Sequence, residues 1–294
     1  MSEILSNSSN SASGDIKLTI FSKKRDKLLT KKIRIEEGKL LKDASGCAMS
    51  KGMAKTVSVR DLSHFNTCLD KLKPNQALSY GVAKQDENKI VARKDAHLHP
   101  DAITRSKGNF KYPEKAILMF DYDPELGEEA LPRDDLYDIL LDAVPQLYST
   151  AMLWRPSASS CLYHGDKEIV GISGQRFYIV VDNGELIPHI GEIINKRLWL
   201  VGYGRIMISK SGALLPRSPI DTSVWQPERL DFAAGALCVE PLERRPVAGH
   251  LYEGDVLDTT TIEALTNEEE AEYCLLYTSP SPRDQRGSRM PSSA

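Results

Sequence analysis

The sequence predicts an α/β (α+β) fold, and three stretches carry that expectation. Ala116-Ile-Leu-Met-Phe120 is a short apolar run closed off by Pro124, which reads as a buried strand. Leu136, Ile139, Leu140 and Ala143 recur at helical spacing, with Asp134 placed to cap the helix they define. Gly174-Gln-Arg-Phe-Tyr-Ile-Val-Val-Asp182 is a second strong strand, with Arg176, Tyr178, Val180 and Asp182 on one face and Phe177, Ile179 and Val181 on the other. A strand–helix–strand rhythm from Ala116 to Val181 is that of a sheet covered by helices.

Composition sets wide bounds. The 294 residues are 41% hydrophobic and 27% charged, as in an ordinary globular protein, and suffice for one large or two ordinary domains. The net charge of -3 gives no global signal for nucleic acid but leaves room for a local basic groove. No apolar run approaches the roughly 20 residues of a membrane span, so no membrane partner is expected. Residues 1–14 are Ser- and Asn-rich, lack the apolar core of a signal peptide and read as a disordered N-terminus. Five cysteines without a C-x-x-C pair fit reduced thiols in a cytoplasm.

Residues 15–110 read as an N-terminal α/β unit. Ile16 to Phe21 alternates as a strand; the basic Lys23, Lys24, Arg25 and Lys27 follow, and Leu28 to Ile35 returns. A hairpin with a basic turn or a solvated loop both fit this stretch. Val59 to Leu72 reads as a helix with Leu62, Phe65, Leu69 and Leu72 inward, stopped by Pro74. Ala77–Val82 and Lys89–Ala92 are short strand candidates. His97 and His99 form an H-x-H with no matching Cys or His cluster, and read as loop histidines. Arg105, Lys107 and Lys111 then precede the acidic strand, either as phosphate-holding cations or as a plain surface loop.

Beyond the acidic strand, Pro145 ends the helix and Ser157-Ala-Ser-Ser160 marks a loop. Asn183-Gly184 is a turn, and Pro188 opens a helix carrying Ile190, Ile193, Ile194, Leu198 and Val201 inward, closed by Gly202. Arg205–Ser209 and Ala213–Leu215 form two strands around Ser211-Gly212. Past about Cys238 the pattern weakens, and Thr259–Glu272 is acidic and helix-prone. Residues 274–294, rich in Ser, Pro and Arg, resemble a translated sequencing-adapter read-through, so the natural chain is expected to continue beyond about Tyr273.

The chemistry concentrates where the apolar strand meets Asp121-Tyr-Asp123. Alternation along a strand puts both carboxylates on one face, where they repel each other unless a cation lies between them. Magnesium or manganese prefers such oxygen donors. The plain alternative is a strand ending in a solvated acidic turn. Downstream, Ile220-Asp221 places a third acid after an apolar residue, and Arg229 follows eight residues later.

In this order the motifs resemble the catalytic core of the archaeo-eukaryotic primase superfamily, especially the primase-polymerases of bacterial mobile elements and phages. The first family motif, an apolar strand ending D-x-D, matches Asp121 and Asp123; the third, an apolar residue then Asp, matches Ile220-Asp221. The second departs: Ser173-Gly-Gln-Arg176 has Arg where the family usually has a histidine that contacts nucleotide phosphates. Arginine is a fixed, forked cation, so a phosphate role survives the change. The resemblance spans roughly Ile16 to Glu240 and implies a DNA-dependent primase-polymerase with a two-metal site. Asp121, Asp123 and Asp221 would be the catalytic acids and hold Mg2+ or Mn2+. Arg176, in the Ser173 motif, would clamp the triphosphate, and Arg229, Arg105 and Lys107 would be secondary phosphate or template contacts. It further implies an RNA-recognition-motif-like catalytic sheet over 111–240, a C-terminal extension over 241–273, and nucleoside triphosphates, single-stranded DNA template and a replicative helicase as partners.

Rival readings remain open. His164 is a candidate for the missing histidine; Asp182 is a fourth acid or the start of a turn; Trp154, Trp199 and Trp225 stack bases or pack the core. A haloacid-dehalogenase-like phosphohydrolase also begins from D-x-D, but its next position is usually Thr or Val, whereas here it is Pro124. A D-x-D glycosyltransferase is a further enzyme reading. The non-enzyme reading is a primase-like module that binds nucleotides or nucleic acid without catalysis.

Overall fold

The computed structural model describes residues 14–124, 128–209 and 211–278. The expectations for the first thirteen residues, and for the tail beyond Thr278, lie outside the described residues. The α+β fold expected from the sequence is the observed one. The N-terminal half comprises β1 (Ile16–Ser22), β2 (Lys32–Glu36), β3 (Lys39–Asp43), β4 (Lys51–Val59), α1 (Leu62–Asp70), β5 (Gln76–Ser79), β6 (Glu87–Val91) and β7 (Ala102–Thr104). It continues through β8 (Ala116–Tyr122), α2 (Arg133–Ala143), β9 (Met152–Pro156), β10 (Leu162–His164), β11 (Lys167–Val170), β12 (Gln175–Val181) and α3 (Ile187–Leu200). The last elements are β13 (Arg205–Ile208), β14 (Leu214–Arg217), β15 (Leu237–Cys238), β16 (Leu242–Arg244), β17 (His250–Tyr252) and α4 (Asn267–Thr278).

The first sheet has the order β5-β1-β4-β6-β7. Here the basic hairpin is corrected: β1 pairs with β4 and β5, while β2 pairs with β3 and, in parallel, with β15. The reason is burial. β1 buries Ile16, Leu18, Thr19, Ile20 and Phe21 and lies inside the five-stranded sheet, whereas β2 has one fully buried residue, Ile33. The helix expected from Val59 is shorter, because Val59 closes β4 and Asp61 caps α1 by accepting from the His64 N–H at 2.7 Å.

The second sheet runs β17-β9-β12-β8, with every neighbouring pair antiparallel. β8, α2 and β9 form a split β-α-β unit with β12 between the two strands. This is the core of the sheet expected for an RNA-recognition-motif-like arrangement; the fourth strand, β17, lies outside β9. The C-terminal stretch of weak pattern therefore completes this sheet. α2 begins at Arg133 after Pro132, so Asp134 is a first-turn acid complementing the helix dipole rather than the cap. α3 ends where Gly202 adopts φ +91, a left-handed value that suits glycine.

The two faces of this sheet are covered differently. Tyr137 of α2 lies 6.2 Å from the Phe177 ring, on the face shared with Ile179 and Val181. Phe65 of α1 meets Tyr178 edge-on at 5.2 Å on the opposite face. One apolar cluster accordingly joins Leu18, Val57 and Phe65 of the N-terminal half to Met119, Phe120 and Tyr178 of the second sheet. Among the described residues, no strand pairs with the outer edge of β8. Its outward carbonyls at Met119 and Asp121 accept from the Trp225 indole N–H at 3.0 Å and the Asp221 N–H at 2.9 Å.

Candidate functional site

The pleat of β8 puts Asp121 on the face that looks toward the N-terminal half, with Tyr122 turned the other way to accept from the Leu131 N–H at 3.0 Å. Register then does the assembly. Asp121 lies opposite Arg176 of β12, and Arg176 lies opposite Arg155 of β9, so one acid and two guanidiniums form a row across three strands. Asp123, just past the strand, is exposed.

Arg176 is the most constrained member of this row. Its Nε donates to Asp121 Oδ1 at 3.0 Å, and its Nη1 lies 2.6 Å from Asp231 Oδ1. The second approach is off the N–H direction, so it is an ion pair rather than a hydrogen bond. Tyr80 and Tyr178 both donate hydroxyl hydrogen bonds to Asp231 Oδ2. The side chain of Asp231 is 0% exposed and that of Arg176 11%. Burial alone lowers the Arg176 pKa, but Asp231 and Asp121 outweigh it and hold it well above the ordinary value. Burial raises the Asp121 pKa, partly opposed by the Arg176 charge beside it. Both tyrosines are pushed well up, by burial first and then by the Asp231 charge.

Asp231 was not among the candidates drawn from the sequence. A signal existed, because Leu230-Asp231 repeats the apolar–Asp pattern of Ile220-Asp221 ten residues later. What selects it is tertiary: the backbone of Asp231 bridges to Leu78, exchanging hydrogen bonds of 2.9 and 2.8 Å with it. That bridge carries the carboxylate between the two halves, where Arg176 waits.

The turn before β12 is built around small residues. Ser157 donates its N–H to the Gly174 carbonyl at 2.7 Å, Ser160 Oγ donates to the same oxygen at 3.0 Å, and the Ser173 N–H donates to Ser160 Oγ at 3.2 Å. Ser173 thus enters the site through its backbone. Gly174 is required by close approach. A Cβ there would stand 2.3 Å from Asp123 Oδ1, 2.7 Å from Ser157 Oγ and 2.9 Å from Ser157 Cβ. Asp123 can swing away, but Ser157 is buried and pinned. Gly174→Ala is therefore expected to cost about 1–3 kcal/mol, read as a lower denaturant midpoint with an unchanged slope.

The remaining candidates fall in different places. Asp221 meets the site through its N–H on Asp121, while its carboxylate accepts from the Ser223 N–H at 2.8 Å and the Ser223 hydroxyl at 2.9 Å. Arg105 is tucked under the turn leading to Leu230, where Nη1 donates to the Glu228 carbonyl at 2.9 Å. Burial lowers its pKa; the Glu228 charge opposes this, and the Arg229 and Arg93 charges add to it, so the structure groups these residues. Arg229 and Lys107 are exposed. His164 is an exposed residue at the end of β10. Asp182 accepts from the Thr259 N–H at 2.9 Å and serves the chain's packing, not the acid pair. Trp154, Trp199 and Trp225 are all buried and pack the core rather than present a stacking platform.

A divalent cation fits part of this donor set. Asp121 uses Oδ1 for Arg176 and makes no hydrogen bond through Oδ2 among the described residues, and Asp123 is exposed beside it. These are two hard oxygen donors on one side of a strand end. Among the described residues, no three Asp, Glu, His or Cys side chains converge as a ligand group. No family model, no curated protein and no solved structure matches the chain.

Proposed function

We propose that the chain is a primase-polymerase-type nucleotidyltransferase that joins nucleoside triphosphates on a single-stranded DNA template in the replication of a mobile element or phage. The observation that supports this reading is the row Asp121–Arg176–Arg155 with Asp123 next to it, which sets oxygen donors for a cation on a strand end held by two guanidiniums. Asp121 and Asp123 would hold Mg2+ or Mn2+, and Asp221 joins them only by releasing Ser223. The ions would polarise the attacking 3′-hydroxyl and stabilise the leaving pyrophosphate. Arg176 acts in this scheme by positioning Asp121, because its guanidinium is already shared between Asp121 and Asp231. The phosphate-clamping role inferred for it from the family pattern passes to cations around it.

A second reading draws on that same feature. A guanidinium fixed between two acids supplies the countercharge that a metal would otherwise bring, as expected of a module that binds nucleotides or DNA without catalysis. The experiment is template-dependent incorporation of labelled nucleoside triphosphates on single-stranded DNA with magnesium or manganese, using Asp121→Ala/Asp123→Ala as control. Products from the wild type alone bear out the transferase. Nucleotide binding without products favours the binding module, and the absence of both products and nucleotide binding redirects the assignment to a phosphohydrolase. Among the described residues no helix is long and apolar enough to cross a membrane.

A further inference from the structure

We propose that Arg244, with Arg155 beside it, forms a phosphate-binding site at the rim of the Asp121–Asp123 pair, taking a phosphate of a nucleoside triphosphate or of a polynucleotide. The proposal deepens the nucleotidyl-transfer reading and rests on it for the class of ligand.

The buried guanidiniums of this region differ in how their charge is met. Arg176 has Asp121 and Asp231. Arg155 reaches Asp70 with Nη2 at 2.7 Å and donates to Asn66 Oδ1 with Nη1. Arg244, on β16, has no carboxylate within ion-pairing distance among the described residues. Its one hydrogen bond is from Nη2 to the Ser157 carbonyl, a long 3.3 Å, and its buried Nε has no partner. Burial lowers its pKa; Cys161 and Cys238 oppose this, and the Arg155 and Arg176 charges add to it. The nearby Cys238 thiol is pushed up by burial and stays neutral, so it brings no countercharge. Arginine does not discharge in proteins. A half-buried guanidinium without a carboxylate partner suits an anion from outside the chain, and its forked donors match a tetrahedral oxyanion with two oxygens to offer.

The surroundings tie it to the acids. Gly235 lies against the guanidinium, where a Cβ would stand 2.8 Å from Nη1. Ser157, whose carbonyl receives Arg244, also places its Oγ against Gly174, directly beside Asp123 Oδ1. An anion on Arg244 therefore sits one residue away from the carboxylate pair. Phosphate is the anion that tolerates this position, because it shares a divalent cation with carboxylates instead of being repelled by them.

The test compares the full chain with Arg244→Gln and Arg244→Lys, binding sodium tripolyphosphate, a nucleoside triphosphate and a single-stranded oligodeoxynucleotide with magnesium, at a series of ionic strengths matched between proteins. Arg244→Gln is expected to weaken at least one of these at least tenfold, with Arg244→Lys in between, while melting no lower than the wild type in phosphate-free buffer. Loss for tripolyphosphate and triphosphate alone identifies a triphosphate tail. Loss for the oligonucleotide alone, with a salt slope shallower by about one, identifies a backbone phosphate. A folded Arg244→Gln that binds all three as the wild type does overturns the proposal and leaves the transferase reading intact. A drop in melting temperature that is equal with and without phosphate marks Arg244 as structural and also overturns it. A wild type that binds none of the probes overturns both readings.

Discussion

Asp121→Ala is expected to reduce template-dependent nucleotide incorporation by about a thousandfold or more, on the order of 4 kcal/mol of transition-state stabilisation. Asp123→Ala should match it. The two differ in what else they do, and that difference makes the pair informative. Asp123 is exposed and its loss should change stability by no more than about 0.5 kcal/mol. Asp121 is 15% exposed and accepts from Arg176, so its removal strips a charge-assisted hydrogen bond worth about 1.5–3 kcal/mol. The protein still folds, because Asp231 continues to neutralise Arg176. Incorporation rates and denaturant midpoints measured on both variants separate the two effects. Either variant keeping wild-type incorporation would remove the acid pair from the chemistry.

The largest effect on stability is expected at a residue outside the reacting pair. Asp231→Asn should destabilise the protein by about 3–5 kcal/mol, since it breaks the fully buried member of the Arg176 ion pairs and leaves only the more exposed Asp121 to meet the guanidinium. The amide oxygen can still accept from Tyr80 and Tyr178, so the loss reports charge rather than the hydroxyl bonds. Arg176→Met should cost a similar amount by stranding Asp231. The double variant is expected to lose much less than the sum, because an uncharged Asn–Met pair leaves no unpaired charge in the core. Urea titrations of the four proteins test this, and strictly additive losses would mean that the two side chains are not energetically coupled.

Much of this architecture was legible in local pattern. An apolar run of the right length gave β8, alternation gave β12, and a proline followed by helical spacing gave α3, because each element carries its own burial signal. The pair Asp121 and Asp123 was equally readable, since a strand's pleat alone puts both on one face. Choice of partner was not readable. The alternation in Ile16–Phe21 and Leu28–Ile35 suits two strands but does not say that they belong to different sheets. Nor does β4, whose Lys51–Val59 buries only Ala54, Val57 and Val59, announce itself among its lysines, Thr56 and Ser58. The same limit hid Asp231 and Arg244. One is placed by a single backbone bridge to Leu78, the other by a three-residue strand in a region with no period. Arg176 was found from sequence, but its engagement by Asp231 depends on contacts between residues 55 positions apart, which spacing cannot show.

The strand that bears the acids is also the stretch most able to recruit a second molecule. Ala116–Phe120 is uncharged, apolar and free of proline, the composition that templates intermolecular strand addition when an edge is left open. The Trp225 indole and the Asp221 amide occupy the outward acceptors at Met119 and Asp121, alternate positions that an incoming chain would have to use. The segment between residues 218 and 231 thereby covers the edge along which a second molecule would otherwise add a strand.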